Sequence, residues 1–139
     1  MIPHFRFTEH TADIGLEVFA RTREELFELA AFGMTAILTT PEKIHPLSKK
    51  TVNLRADHLD ELLVVWLNRL NFEFETEGWL FSEFDVRLTG AFDLMATLRG
   101  ELFNPERHEI LREIKAATYH HLIVEKRKQF WYANVIFDL

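Results

Sequence analysis

Residues 4–21 read His4-Phe5-Arg6-Phe7-Thr8-Glu9-His10-Thr11-Ala12-Asp13-Ile14-Gly15-Leu16-Glu17-Val18-Phe19-Ala20-Arg21. From His4 to His10, Phe5 and Phe7 fall on one side and His4, Arg6 and Thr8 on the other. That period of two belongs to a half-buried strand. The alternation resumes from Gly15 to Arg21, with Leu16, Val18 and Ala20 sharing a side. The polar run His10–Gly15 lies between the two strands. The pattern therefore predicts a β-hairpin whose loop carries a histidine and an aspartate.

From Thr22 the period changes. Thr22-Arg23-Glu24-Glu25 is a capping box, with Thr22 capping the backbone and Glu25 reaching back. Leu26, Leu29, Ala30, Gly33, Met34 and Ile37 then recur at helical spacing. Pro41 and Pro46 bracket a loop, and Thr51 to Ala56 alternates as a short strand. Asp57 is expected to cap a second helix, with Asp60 and Glu61 in its first turn where they favour the dipole. Leu59, Leu62, Leu63, Trp66, Leu67 and Leu70 give it a broad apolar face, and Gly78 is placed to end it.

Beyond Gly78 the chain reads as strands. Phe84, Val86 and Leu88 alternate, as do Phe92, Leu94, Ala96 and Leu98, with Thr89-Gly90-Ala91 as the turn between them. A polar loop over 104–109 leads to Ile114–His121. Two last strands, near 122–125 and 130–137, are joined by a turn at 126–129. Two amphipathic helices and about seven strands, mostly in hairpins, predict an α+β two-layer sandwich. The helices are expected to cover one face of a largely antiparallel sheet, in a single domain over 1–139.

Composition bounds the function. At 139 residues and 47% hydrophobic content, the chain can bury a core without staples. It has no cysteine, which excludes disulfides, thiolate metal sites and cysteine nucleophiles, and suits a reducing, cytoplasmic setting. No signal peptide is visible, and the apolar run Leu62–Leu67 is too short to span a bilayer. A net charge of −6 argues against direct nucleic-acid binding. The basic runs Lys49-Lys50 and Lys126-Arg127-Lys128 are expected in solvated turns.

Asp138 ends a strongly apolar strand, an unusual place for an acid, and Leu139 behind it, if the natural chain ends there, would add a main-chain carboxylate. If the Asp13 hairpin lies beside that strand, like charges converge. At about 4 Å and an effective dielectric near 20, each pair would cost roughly 4 kcal/mol, which a bound cation would relieve. Oxygen ligands suit a hard ion, Ca²⁺, Mg²⁺ or Mn²⁺. Spacing alone favours a plainer account, with Asp13 an Asx-turn residue and Asp138 a frayed end. His10 could ligate a metal or orient Asp13, but reads first as a partner of the turn backbone. Lys115 and His120 read first as surface and strand-end residues, and His120 and His121, as neighbours on a strand, are expected to face opposite sides. The aromatic stretch Phe72, Phe74, Trp79, Phe81 and Phe84 is most simply core.

Several strings together resemble one family. Phe7–Gly15 resembles the opening signature of the archeases. Residues 22–31 are similar to the family's first helix, and Asp57–Leu63 with Trp66-Leu67 to its second. Glu77–Phe81, Glu113–His120 and the Asp138-Leu139 ending come in the family's order. The match departs at Ala117 and Arg112 and lacks an acid near Thr39-Thr40-Pro41. The resemblance implies a non-enzymatic protein cofactor of the RtcB-type tRNA-splicing RNA ligase, promoting its guanylylation and repeated turnover in tRNA splicing and RNA repair. It further implies a metal, calcium, held by Asp13 and Asp138 with an oxygen of Leu139, and a functional role for Lys115. Two rivals stand beside it. One is a small metal-dependent phosphohydrolase using Asp13, Asp138 and His120; the other is a general chaperone-like module acting through exposed aromatics.

Overall fold

A computed structural model describes every residue from Met1 to Leu139. The first hairpin forms as the alternation predicts, with β1 (His4–Glu9) antiparallel to β2 (Asp13–Ala20). Its loop is shorter than expected, because Asp13 already belongs to β2. Gly15 has a steric reason: a Cβ there would sit 2.2 Å from the Thr8 hydroxyl on the opposing strand. Helix α1 (Arg23–Leu38) starts at Thr22, whose side chain accepts from Glu25 N–H. Glu25 reaches back one residue further than a standard capping box, accepting from Arg21 N–H at 2.8 Å.

After β3 (Ser48–Arg55), α2 (Leu59–Glu77) ends where Gly78 takes a left-handed φ of 77°. Its first residue differs from the expectation. His58 is the N-cap and its side chain caps nothing, while Asp57 N–H donates to Glu61 Oε1. The hairpin β4 (Trp79–Thr89) and β5 (Asp93–Leu102) turns at Gly90, again with positive φ. The short β6 (Ala116–Ala117) precedes the final hairpin of β7 (Ile123–Arg127) and β8 (Phe130–Asp138).

The eight strands form two antiparallel sheets rather than one. In the larger, β8 is central. β2 runs along one edge of it, and β7 and β6 share the other, β7 beside Phe130–Asn134 and β6 beside Phe137-Asp138. The smaller sheet has the order β3-β5-β4. Helix α1 packs on β1, β2 and β8 of the first sheet and β4 of the second; α2 touches both sheets as well. Leu16, Val18, Phe27, Trp66, Leu98 and Phe137 meet in one contiguous core. Trp66 sits fully buried with its indole N–H donating to Phe27 O at 3.0 Å.

The basic runs are not turns. Lys49 and Lys50 lie within β3, and Lys126 and Arg127 within β7; only Lys128 is in the turn. Their charged ends find aromatic partners there: Lys50 sits over Trp79, Lys126 over Trp131 and Arg127 over Tyr132.

One buried polar knot stands apart. Glu101 accepts from His45 N–H (2.7 Å) and from Arg107 (2.5 Å), and His108 Nε2 lies 2.9 Å from it. His108 Nδ1 accepts from Asn104 N–H, so Nε2 carries the proton and donates to Glu101. The Arg107 guanidinium, aided by the His45 and His108 donors, holds the Glu101 carboxyl down to about 2 despite its burial.

Candidate functional site

Asp13 and Asp138 are directly opposed across the β2–β8 ladder. Directly opposed residues of an antiparallel pair have Cβ atoms about 5 Å apart, where like charges repel. On the far side of Asp138, Ala116 is its ladder partner and Lys115 N–H donates to Asp138 O at 2.9 Å. His10 N–H donates to Asp13 O (3.1 Å) and Leu139 N–H to Ala12 O (3.3 Å), so the backbone around both acids is tied down. One side-chain atom is left over. Asp13 Oδ1 is buried and has no hydrogen-bond partner.

The two acids open onto a cleft of about 520 Å³ lined by His10, Asp13, His120, His121, Ile136 and Asp138. The structure thus gathers four of the six residues singled out from sequence. Leu139 is half-buried behind them, packed on the core. Lys115 is joined to the site through its backbone, while its side chain lines a neighbouring cleft of about 500 Å³ with Asn68, Asn71, Phe72, Glu75, Glu113 and Ala116.

His121 is the residue that sequence reasoning sent the wrong way. A strand would turn neighbouring histidines to opposite faces, but His120 and His121 lie in a turn, with His121 at φ 51°. Both therefore face the acid cleft. Positive φ is uncommon outside glycine, and although histidine is among the residues enriched there, nothing in the sequence marked which of the two would adopt it.

This donor set could hold part of a cation's coordination shell. A carboxylate oxygen shut away from water without a donor costs free energy that a cation would recover. The acids supply hard oxygen ligands. No three histidine, aspartate or glutamate side chains converge closely enough to enclose an ion by themselves. The remainder of the sheet face is charge-matched: Arg6 pairs with Glu17 at 2.7 Å and Arg127 with Glu125 at 3.0 Å. Tyr132 donates to Glu17, and burial with that carboxylate pushes the phenol up to about 12.

Of the aromatic stretch, Phe81 is buried and Phe74, Trp79 and Phe84 pack partly buried on the core, as expected; Phe72 is the exception, 56% exposed. No helix is long and apolar enough to cross a membrane.

Residues 5–139 match the model of the archease protein family (MTH1598/TM1083). The chain belongs to the archease family. It is 36% identical to the protein archease of Methanosarcina mazei, over 97% of this chain and 95% of that one. The archease of Thermococcus kodakarensis is likewise 36% identical, with 94% and 95% covered. Among solved structures, a Methanobacterium thermoautotrophicum protein determined in solution superposes with a TM-score of 0.86 at 33% identity, covering 97% of this chain and 98% of its own. A Thermotoga maritima crystal structure, described as an archease and possible chaperone, gives 0.66 at 27% identity, with 95% and 94% covered. The archease fold is thus two helices packed against antiparallel sheets, the α+β class expected from the sequence.

Proposed function

We propose that this archease is a non-catalytic protein cofactor that activates an RtcB-type tRNA-splicing ligase, through an acidic tip built from Asp13 and Asp138 and ordered by a hard divalent ion, Ca²⁺ first. The observation that carries the reading is the opposed acid pair with its unpartnered Asp13 Oδ1. Two carboxylates fill only part of the six to eight oxygen positions Ca²⁺ takes. That suits an ion whose remaining ligands come from solvent, from the main chain near Leu139 or from the partner. The description of the Thermotoga maritima relative as a possible chaperone fits a protein that works on another protein.

In this reading Asp13 and Asp138 hold the ion, which supplies positive charge at the tip when bound. His10 ties the turn, Lys115 holds Asp138 by its backbone, and His120 lines the approach. The test is multiple-turnover RNA ligation with a small amount of cognate ligase, with and without this protein. Asp13→Ala and Asp138→Ala are expected to abolish stimulation while circular dichroism stays that of the unaltered fold. Normal stimulation by either variant sinks the mechanism.

The histidines and acids sharing one cleft make hydrolysis a second reading. Incubation with phosphomonoesters and phosphodiesters plus divalent ions decides it, since absence of turnover removes it.

A further inference from the structure

β6 is only two residues long, yet it joins Lys115 to the acid pair. On its β8 side, Lys115 N–H donates to Asp138 O, and the Thr118 N–H and hydroxyl both donate to Ile136 O at 2.9 Å. On its other side there is no further strand. Two side-chain amides of α2 stand there instead. Asn68 Nδ2 donates to Ala117 O (3.1 Å) and Asn68 Oδ1 accepts from Ala117 N–H (2.8 Å). One N–H and one C=O facing a backbone are what a neighbouring strand residue would offer. One turn along the helix, Asn71 Nδ2 donates to Ile114 O at 3.0 Å.

Asn71 sharpens the point. It is buried, and its Oδ1 has no partner. Leucine of similar size would leave no idle oxygen, but it would also leave Ile114 O without its donor. Aspartate would set an acceptor against that carbonyl. Only a donor serves here, and asparagine supplies one. Leu63, Leu67 and Leu70 are buried on the neighbouring part of the helix.

We propose that Asn68 and Asn71 are positioning residues: together they replace a missing strand, fix the Ile114–Thr118 segment, and through it set the placement of Lys115 and Asp138 at the acidic tip. The inference rests on the reading that Asp13 and Asp138 hold an ion.

The test uses the full chain, with Ca²⁺ titrated by calorimetry and amide hydrogen exchange followed at Lys115 and Thr118. Asn68→Ala is expected to weaken Ca²⁺ binding roughly ten- to hundred-fold, the range for outer groups that orient ligands. It is also expected to open the Lys115 and Thr118 amides to exchange while Leu16 and Leu98 in the core stay protected. Asn68→Gln, which keeps both halves of the amide, should recover part of the affinity, and Asn68→Leu should not. An Asn68→Ala protein that binds Ca²⁺ as the unaltered chain does overturns the proposal, whatever its melting temperature. If Asn68→Ala does not fold, Asn68→Asp, which keeps the acceptor and loses the donor, goes through the same two measurements. If the unaltered protein binds no Ca²⁺, the ion reading falls by itself. The positioning role is then decided by exchange alone, and protection retained at Lys115 and Thr118 overturns it.

Discussion

Glu101 and Asp13 both carry carboxylate oxygens shut away from water, and their surroundings are opposite. Glu101 receives a backbone N–H from His45, a guanidinium from Arg107 and an imidazole N–H from His108. Asp13 faces a second acid across the ladder and has an oxygen that nothing in the chain satisfies. The first arrangement is what a buried charge needs in order to contribute to stability. The second should lower stability in the isolated chain, and under the proposed role it would gain from a cation or a partner's donor. The contrast separates an acid that holds the fold together from one the fold keeps available.

The largest break in this comparison should come from Glu101→Gln. Removing one member of a buried ionic network costs about 3–5 kcal/mol, measured as a shift of the urea midpoint. Acid should reach nearly the same result without mutation. Glu101 sits at about 2 in the folded chain against an ordinary 4.5, so its contribution is complete above about pH 4.5 and is lost as pH falls toward 2. The difference corresponds to roughly 3 kcal/mol, and the slope of stability against pH should flatten in Glu101→Gln.

The Asp13 side should respond to ions instead. With Ca²⁺ at about a hundred times its dissociation constant, the unaltered chain should gain about 2.7 kcal/mol over the same chain in chelator. Asp13→Asn should gain nothing, and equal thermal shifts for the two proteins would mean that Asp13 holds no ion. The smallest effect has the opposite sign. In chelator, Asp13→Asn should be as stable as the unaltered chain or more so, by up to about 1 kcal/mol, because it removes the like-charge pair. A clear loss of stability there would mean that Asp13 is a structural acid like Glu101.

What the sequence made legible was local. The first hairpin, the Thr22 cap, the Gly78 stop and the Gly90 turn each rest on a few adjacent residues with a steric or hydrogen-bonding cause. The meeting of Asp13 with Asp138 was only a condition suggested by an acid at the end of an apolar strand, and spacing alone pointed to a turn residue and a frayed end. Hidden were the features set by distant pairing. That β3, β4 and β5 form a sheet of their own depends on which edges close, and periodicity does not encode that. The common facing of His120 and His121 turns on one backbone angle. Asn68 and Asn71 did leave a trace, two amides three residues apart on a helix rich in buried leucines, but their acceptors lie far along the chain.

The place of β8 has a consequence for the order of events in making the protein. Asp13 and Asp138 lie far apart along the chain, and the β2–β8 ladder cannot close until both exist. Pairing strands far apart in sequence is slow, because loop closure comes before the contacts that reward it. The acid pair is therefore assembled only after β8 has been made. A nascent or C-terminally clipped chain, lacking half the tip, would have nothing there to offer an ion or a partner.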